Sequence, residues 1–465
     1  MPTLENDQSP FPISNPTKPP KTNKQPSTSH PFTLLTTYLP FPTPSQKQWW
    51  LDSASLLSRM LSAAKYTPDE QYTHLLSFHR HILPYFGPHP LRWPSLISGS
   101  GLPVEYSLNF QNNADPVIRI AFEPISFEAG SARDPFNKRA LEELVSGAVE
   151  HNVSGFDTAL LDHFKETLFL NDSDVHRISD LDPHFPRTHS ALGFDLKGNK
   201  TVIKGYVHPG WRSRATGIPV NDLIRSSLDG IQDSFNCREA IELVHGYMES
   251  SGGYDLRTFL AWDCTPLHAS RIKIYGIDND VSLGKIEELW TMGWRLTDDA
   301  ALDGLKHLRR LWRFLDINGA IERSTHYDEK HEDADCANGN TNGANTSNCS
   351  TSQMEETPKT QAKVDRRLPL FWNYEVKSGS TRIAPKIYFP VYGENDFKVC
   401  LALSRFFASL GWDDKASGYV DLVRGLYPGI DIADATRLQC LISFAYSAEK
   451  GVYMSVYYHS TSSYE

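Results

Sequence analysis

The sequence predicts an α+β protein built on a closed antiparallel β-barrel with helices packed around it. Three observations carry this prediction. Seven segments alternate apolar and polar residues with period two, the stretches between them repeat apolar residues at helical spacing, and the polar strand faces share one pattern of cations and tyrosines.

Residues 1–30 hold seven Pro and no Gly, and carry too little apolar surface to order themselves, so a disordered tail is expected. They contain no apolar run of signal-peptide length, and no later run reaches the ~18 residues a membrane span needs. The expected location is the cytoplasm, with no membrane partner. Residues 31–465 then read as one barrel domain, interrupted at about 328–366 by a disordered insertion containing HEDADCANGNTNGANTSNCSTSQMEETPKTQAK. Helices are expected at Gln46–Lys65, Pro68–Phe86, Phe136–Glu150, Phe156–Phe169, Val220–Glu249, Asp299–Asp316 and Asn395–Leu410. Leu305, Leu308, Leu311 and Leu315 illustrate the spacing of their core-facing stripes.

The strands are Val104–Phe110, Pro116–Pro124, Thr201–Pro209, Ser270–Gly276, Pro385–Gly393, Leu441–Ser447 and Val452–His459. Divided by parity, one face is apolar: Ile118, Ile120 and Phe122; Ile203 and Val207; Ile272 and Ile274; Ile387 and Phe389; Val452, Met454 and Val456. The other face carries Glu105, Arg119, Lys204, Tyr206, Arg271, Lys273, Tyr275, Lys386, Tyr388, Tyr453 and Tyr457. A cation followed two residues later by tyrosine recurs in three strands, as Lys204/Tyr206, Lys273/Tyr275 and Lys386/Tyr388. Tyrosine rings are poorly used in open water but make good walls for a partly dry cavity, so this face should line a lumen.

Five cations in one confined space would repel one another unless an anion of several charges sat among them, and a diphosphate has that character. Tyrosine π faces beside them would tolerate a positive ligand. An allylic diphosphate, ionising to diphosphate and a carbocation, supplies both charges. Other chemistries lack their motifs: the chain has no phosphate-binding Gly-rich loop, no dinucleotide fingerprint, no nucleophile elbow and no His-Glu-x-x-His. Asp298, Asp299 and Asp303 sit where a helix begins, and capping explains them better than metal binding. With 56 acidic against 46 basic residues, bulk charge speaks against nucleic acid. The six cysteines form no Cys-x-x-Cys pair, so reduced thiols are expected.

These residues resemble the fungal aromatic prenyltransferases of the dimethylallyltryptophan synthase family. The resemblance rests on GLPVEYSLN, VIRIAFEP, DPFN at Asp134–Asn137, TVIKGYVHP, SRIKIYG, KIEELWTMGW, PKIYFPVYG and the Tyr453-x-x-x-Tyr457 pair, and covers about residues 46–459 without the insertion. It implies an ABBA-type barrel of repeated ααββ units. It further implies that Arg119, Lys204, Arg271, Lys273, Lys386 and Tyr453 hold the diphosphate, and that Tyr206, Tyr275, Tyr388 and Tyr457 shield the allyl cation. Glu105 would be the catalytic residue that accepts a hydrogen bond from the acceptor ring and orients it. Prenyl diphosphate is a co-substrate, no metal or other cofactor is implied, and homodimerisation stays open.

The sequence departs from the family pattern at three places. Lys386 stands where relatives often carry Gln. The position thirteen residues before Lys204, where tryptophan-specific relatives place Lys, is Ala191, with Ser190 and His189 beside it as a substitute base. A shielding tyrosine is replaced by Leu441. The expected acceptor is therefore an indole alkaloid or cyclic dipeptide larger than tryptophan, prenylated with dimethylallyl by electrophilic aromatic substitution. A phenolic or polyketide acceptor, for example a xanthone, remains an alternative. So do a non-catalytic isoprenoid-binding barrel and a phosphate-transfer enzyme, the latter disfavoured for want of magnesium-binding motifs.

Overall fold

The computed structural model describes residues 30–150, 155–178, 186–198, 200–317 and 368–460. The expected tail, apart from His30, and the expected insertion lie outside the described residues. Ten strands appear: β1 Val104–Phe110, β2 Val117–Phe122, β3 Ser190–Lys197, β4 Lys200–Val207, β5 Phe259–Asp263, β6 Arg271–Asp278, β7 Leu370–Lys377, β8 Ile383–Pro390, β9 Gln439–Ser447 and β10 Gly451–Tyr458. Each pairs antiparallel with its sequence neighbours, and β1 closes on β10 to complete the barrel. Full closure leaves no free sheet edge. The seven predicted strands are all present; β3, β5 and β7 are additions.

Strict antiparallel order gives every even-numbered strand one direction. The lysine-then-tyrosine spacing of β4, β6 and β8 therefore sets all the lysines toward one end and all the tyrosines about 6.6 Å further along, two residues at roughly 3.3 Å each. The opposite faces form the core against the helices: Ile118, Ile120, Phe122, Val207, Ile272, Ile274, Ile387, Phe389, Val452, Met454 and Val456 are all buried. Two glycines serve this layer. Gly205 faces Trp262 across β4–β5 and Gly276 faces Trp372 across β6–β7, and a Cβ at either glycine would lie 2.2 Å from the indole.

Several expected helices are subdivided. Val220–Glu249 becomes Val220–Asp229, Gln232–Phe235 and Arg238–Ser250, because Asn236 takes φ 50° and stops the second piece. Gln46–Lys65 starts at Pro44 behind a Thr43 cap, passes through a wide turn at Trp50–Ala54 and ends at Ala63. Pro68–Phe86, opened by a Thr67/Glu70 capping box, is regular only to Ser77. Phe136–Glu150 begins at Arg139, since Asn137 has φ 53°. Asp299–Leu315 and Asp396–Ser409 agree within a residue, and Asp298 accepts the Ala301 N–H at 3.0 Å, the capping role expected of it. No helix among the described residues is long and apolar enough to cross a membrane.

Candidate active site

All eleven residues expected at the site face the lumen, and they sort into layers along the barrel axis. The first layer is charged. Arg119 on β2 and Lys204 on β4 both donate to Asp195 on β3, which lies between them. Arg271 on β6 donates through Nε to Asp263 Oδ2 on β5 at 2.6 Å and through Nη1 to Glu375 Oε1 on β7 at 3.1 Å. Glu375 Oε2 also meets Lys273 Nζ at 3.4 Å. Lys386 on β8 sits over the Tyr453 ring at 4.9 Å, and Arg119 Nη2 reaches the Tyr453 hydroxyl at 3.5 Å.

This layer corrects one expectation. The cations do not need a bound anion to stand together, because Asp195, Asp263 and Glu375 alternate with them around the barrel. None of the three carboxylates was anticipated, and each lies on one of the strands that sequence patterning missed. A signal existed for β3: the Lys-Gly-Asn-Lys stretch at 197–200 is a hairpin-turn sequence that requires a partner strand before β4.

Burial acts on every proton affinity here, and neighbouring charges reinforce or overcome it. It lowers Lys204 to about 7, assisted by Arg119 and opposed by Asp195. Lys386 is pushed well below the usual lysine range by burial, with Arg119 and Lys273 adding to it. Burial would raise Asp195, but Arg119 and Lys204 prevail and hold its carboxyl far below the ordinary range.

The second layer is aromatic. Tyr275 stacks on Phe259 at 4.1 Å between centroids and lies 6.0 Å from Tyr388, which lies 6.0 Å from Tyr457. The hydroxyls of Tyr275 and Tyr388 are 3.2 Å apart, and Asn373 Nδ2 donates to the Tyr388 oxygen at 3.0 Å. Tyr206, Ala261 and Leu441 complete the ring, so the substituted wall position does belong to the cage. Phe259 and Ala261 on β5, and Phe371 and Asn373 on β7, are unanticipated members.

Beyond the tyrosines stands the acidic Glu105. Glu105 on β1 stands opposite Ala121, next around the wall comes Gly193, and Ala191 and Ala261 flank Tyr206. Burial raises the Glu105 carboxyl to about 8, with Arg119 opposing. No hydrogen bond or ion pair engages it among the described residues. His208 stacks on Phe259 at 4.8 Å and burial lowers it to about 4. His189, the substitute base, is packed between the rings of Phe136 and Trp211, and burial lowers it to about 3 with help from Lys138 and His208. It is a weak proton acceptor. Among the described residues no three His, Cys, Asp or Glu side chains are grouped to hold a metal.

A family profile, tryptophan dimethylallyltransferase, matches residues 45–422. The chain belongs to this family. Among curated tryptophan dimethylallyltransferase relatives, the reverse prenyltransferase criA of Aspergillus cristatus is 39% identical over 92% of this chain and 94% of its own. Deoxybrevianamide E synthase notF of an Aspergillus species is 38% identical over 94% of this chain and 93% of its own. The crystal structure of NotF with brevianamide F and DMSPP superposes with a TM-score of 0.80 at 36% identity, covering 94% of this chain and all of that one. That of AnaPT from Neosartorya fischeri gives 0.76 at 28% identity, covering 93% and 98%. As a tryptophan dimethylallyltransferase family member the protein is a prenyltransferase with the ABBA barrel.

Proposed function

We propose that the protein transfers a dimethylallyl group from dimethylallyl diphosphate to an indole-containing cyclic dipeptide or alkaloid, without a metal, in the cytoplasm. One observation carries this reading: a charged belt, a tyrosine ring and the acidic Glu105 follow one another along one lumen. In the belt, Arg119, Lys204, Arg271, Lys273, Lys386 and Tyr453 hold the diphosphate. They stabilise the negative charge that develops as the allylic C–O bond breaks and its electron pair leaves with the oxygen. Tyr206, Tyr275, Tyr388 and Tyr457 turn π density toward the allyl cation and keep water from it. Glu105 accepts the indole N–H, orienting the ring so that a ring carbon forms the new C–C bond; the ring proton then passes to a base, the released diphosphate being the one the reaction itself supplies, and aromaticity returns.

Ala121 stands opposite Glu105, and Ala191 and Ala261 stand opposite Tyr206, so small side chains rather than bulky ones border the acceptor end of the lumen. The named relatives favour an indole over the phenolic alternative and catalysis over simple isoprenoid binding. The test is incubation of the purified protein with dimethylallyl diphosphate, EDTA and a panel of indoles, cyclic dipeptides and phenols, read by mass. An indole product one prenyl unit heavier is expected. A product from phenols alone, or turnover only after magnesium is added, would overturn the assignment.

A further inference from the structure

Arg271 is held at both ends of its guanidinium, by Asp263 on one side strand and Glu375 on the other. Glu375 also meets Lys273, so a single carboxylate engages the two cations of β6. It is enclosed but not sealed, with a quarter of its side chain exposed (25%). Burial would raise its pKa, but Lys273, Arg271 and Lys386 outweigh burial and hold the carboxyl down to about 2. It therefore carries its negative charge at any working pH.

A diphosphate bound to this belt would share its cations with a fixed anion only a few ångströms away. The two negative groups compete for the same N–H donors and repel each other. We propose that Glu375 is a positioning residue with two linked effects: it aims the Arg271 fork and Lys273 at the diphosphate, and its charge limits how tightly diphosphate is held, so that the product leaves. The inference rests on reading the belt as the diphosphate site. It assigns a turnover role to a group whose obvious job is to neutralise its neighbours.

Glu375→Gln separates the effects, because the amide oxygen can still accept from Arg271 while the charge is gone. Binding of inorganic diphosphate is measured by calorimetry on the wild-type protein and on Glu375→Gln, with thermal unfolding to verify the fold. The variant should bind on the order of tenfold more tightly, as expected for removing a like charge at close range in a partly screened site. Its KM for dimethylallyl diphosphate should fall together with kcat, and a rapid first turnover should precede a slower steady state as release becomes limiting. Glu375→Asp, which restores the charge, should return affinity toward wild type.

Unchanged or weaker binding by a folded Glu375→Gln, with wild-type protein binding normally, would overturn this inference and leave the diphosphate assignment intact. Failure of the wild-type protein to bind diphosphate would overturn both. If Glu375→Gln does not fold, Asp263→Asn removes the other carboxylate on Arg271 and carries the same prediction.

Discussion

The two halves of the lumen solve opposite problems. The charged half sets Arg119, Lys204, Arg271, Lys273 and Lys386 against Asp195, Asp263 and Glu375, so almost every group has an ionic partner before any ligand arrives. The aromatic half carries Glu105, which no hydrogen bond or ion pair engages among the described residues and which burial raises to about 8. If the first half holds diphosphate as proposed, its affinity must be restrained, since a dense cation cluster alone would hold diphosphate too well to turn over. In the second, polarity must be scarce, since any nearby water or base would consume the cation. One barrel accommodates both because two residues of strand separate them.

The largest expected effect comes from breaking the charged half. Lys204→Ala should lower turnover by roughly a thousandfold, the scale of losing a preorganised donor to a developing anion, with circular dichroism unchanged. Retained activity would remove the belt from the mechanism. Next, Glu105→Ala, which removes the oxygen that accepts the indole N–H, should cost about a hundredfold in kcat/KM for an indole acceptor, with Glu105→Gln milder because its amide oxygen still accepts. Glu105→Gln has a stability signature. A carboxyl raised from 4.5 to about 8 makes the folded state bind more protons than the unfolded chain across that window, so wild-type stability falls as pH rises through it. Glu105→Gln should match wild type in melting temperature below about pH 4.5 and exceed it increasingly up to about pH 8, read by thermal scans in a buffer series.

Two smaller effects sharpen the aromatic half. Tyr388→Leu should divert roughly a tenth or more of turnovers to prenyl alcohol, as a desolvated cation–π contact worth about 2 kcal/mol is lost, seen in the product ratio by mass or NMR. Leu441→Tyr is the mildest. It adds a fifth tyrosine to Tyr206, Tyr275, Tyr388 and Tyr457, and should reduce water capture about two- to fivefold while disfavouring longer prenyl donors. No change in either variant would mean that this ring does not contact the cation.

What the sequence reveals depends on how strongly the two faces of a strand differ. The even-numbered strands carry long polar side chains inward and branched apolar ones outward, which is a strong alternation. β1 shows the same contrast, with Glu105, Ser107 and Asn109 against Tyr106 and Leu108. On β3 the inward residues are Ala191, Gly193 and Asp195, too small to mark a face. On β7, Phe371 points inward while Leu370, Trp372 and Tyr374 point outward, so both faces look apolar at its start. β5 spans only five residues. The cations and tyrosines were therefore legible and their counter-carboxylates were not. The helix at Val220 was overextended for a similar reason: apolar spacing continues across Gly230 and Asn236, and only the backbone conformation at Asn236 reveals the stop.

Closure of β1 on β10 carries a cost in time. Asn109 and Ser455 share a side-chain hydrogen bond across 346 residues of intervening chain. During synthesis at about 5–20 residues per second, β1 waits roughly 20–70 s for its second neighbour. Until then one sheet edge is open and the charged lumen has no wall on that side, a contact pattern of the kind that makes folding slow. The nascent chain carries that open edge until its last strand is made, and only β10 closes it.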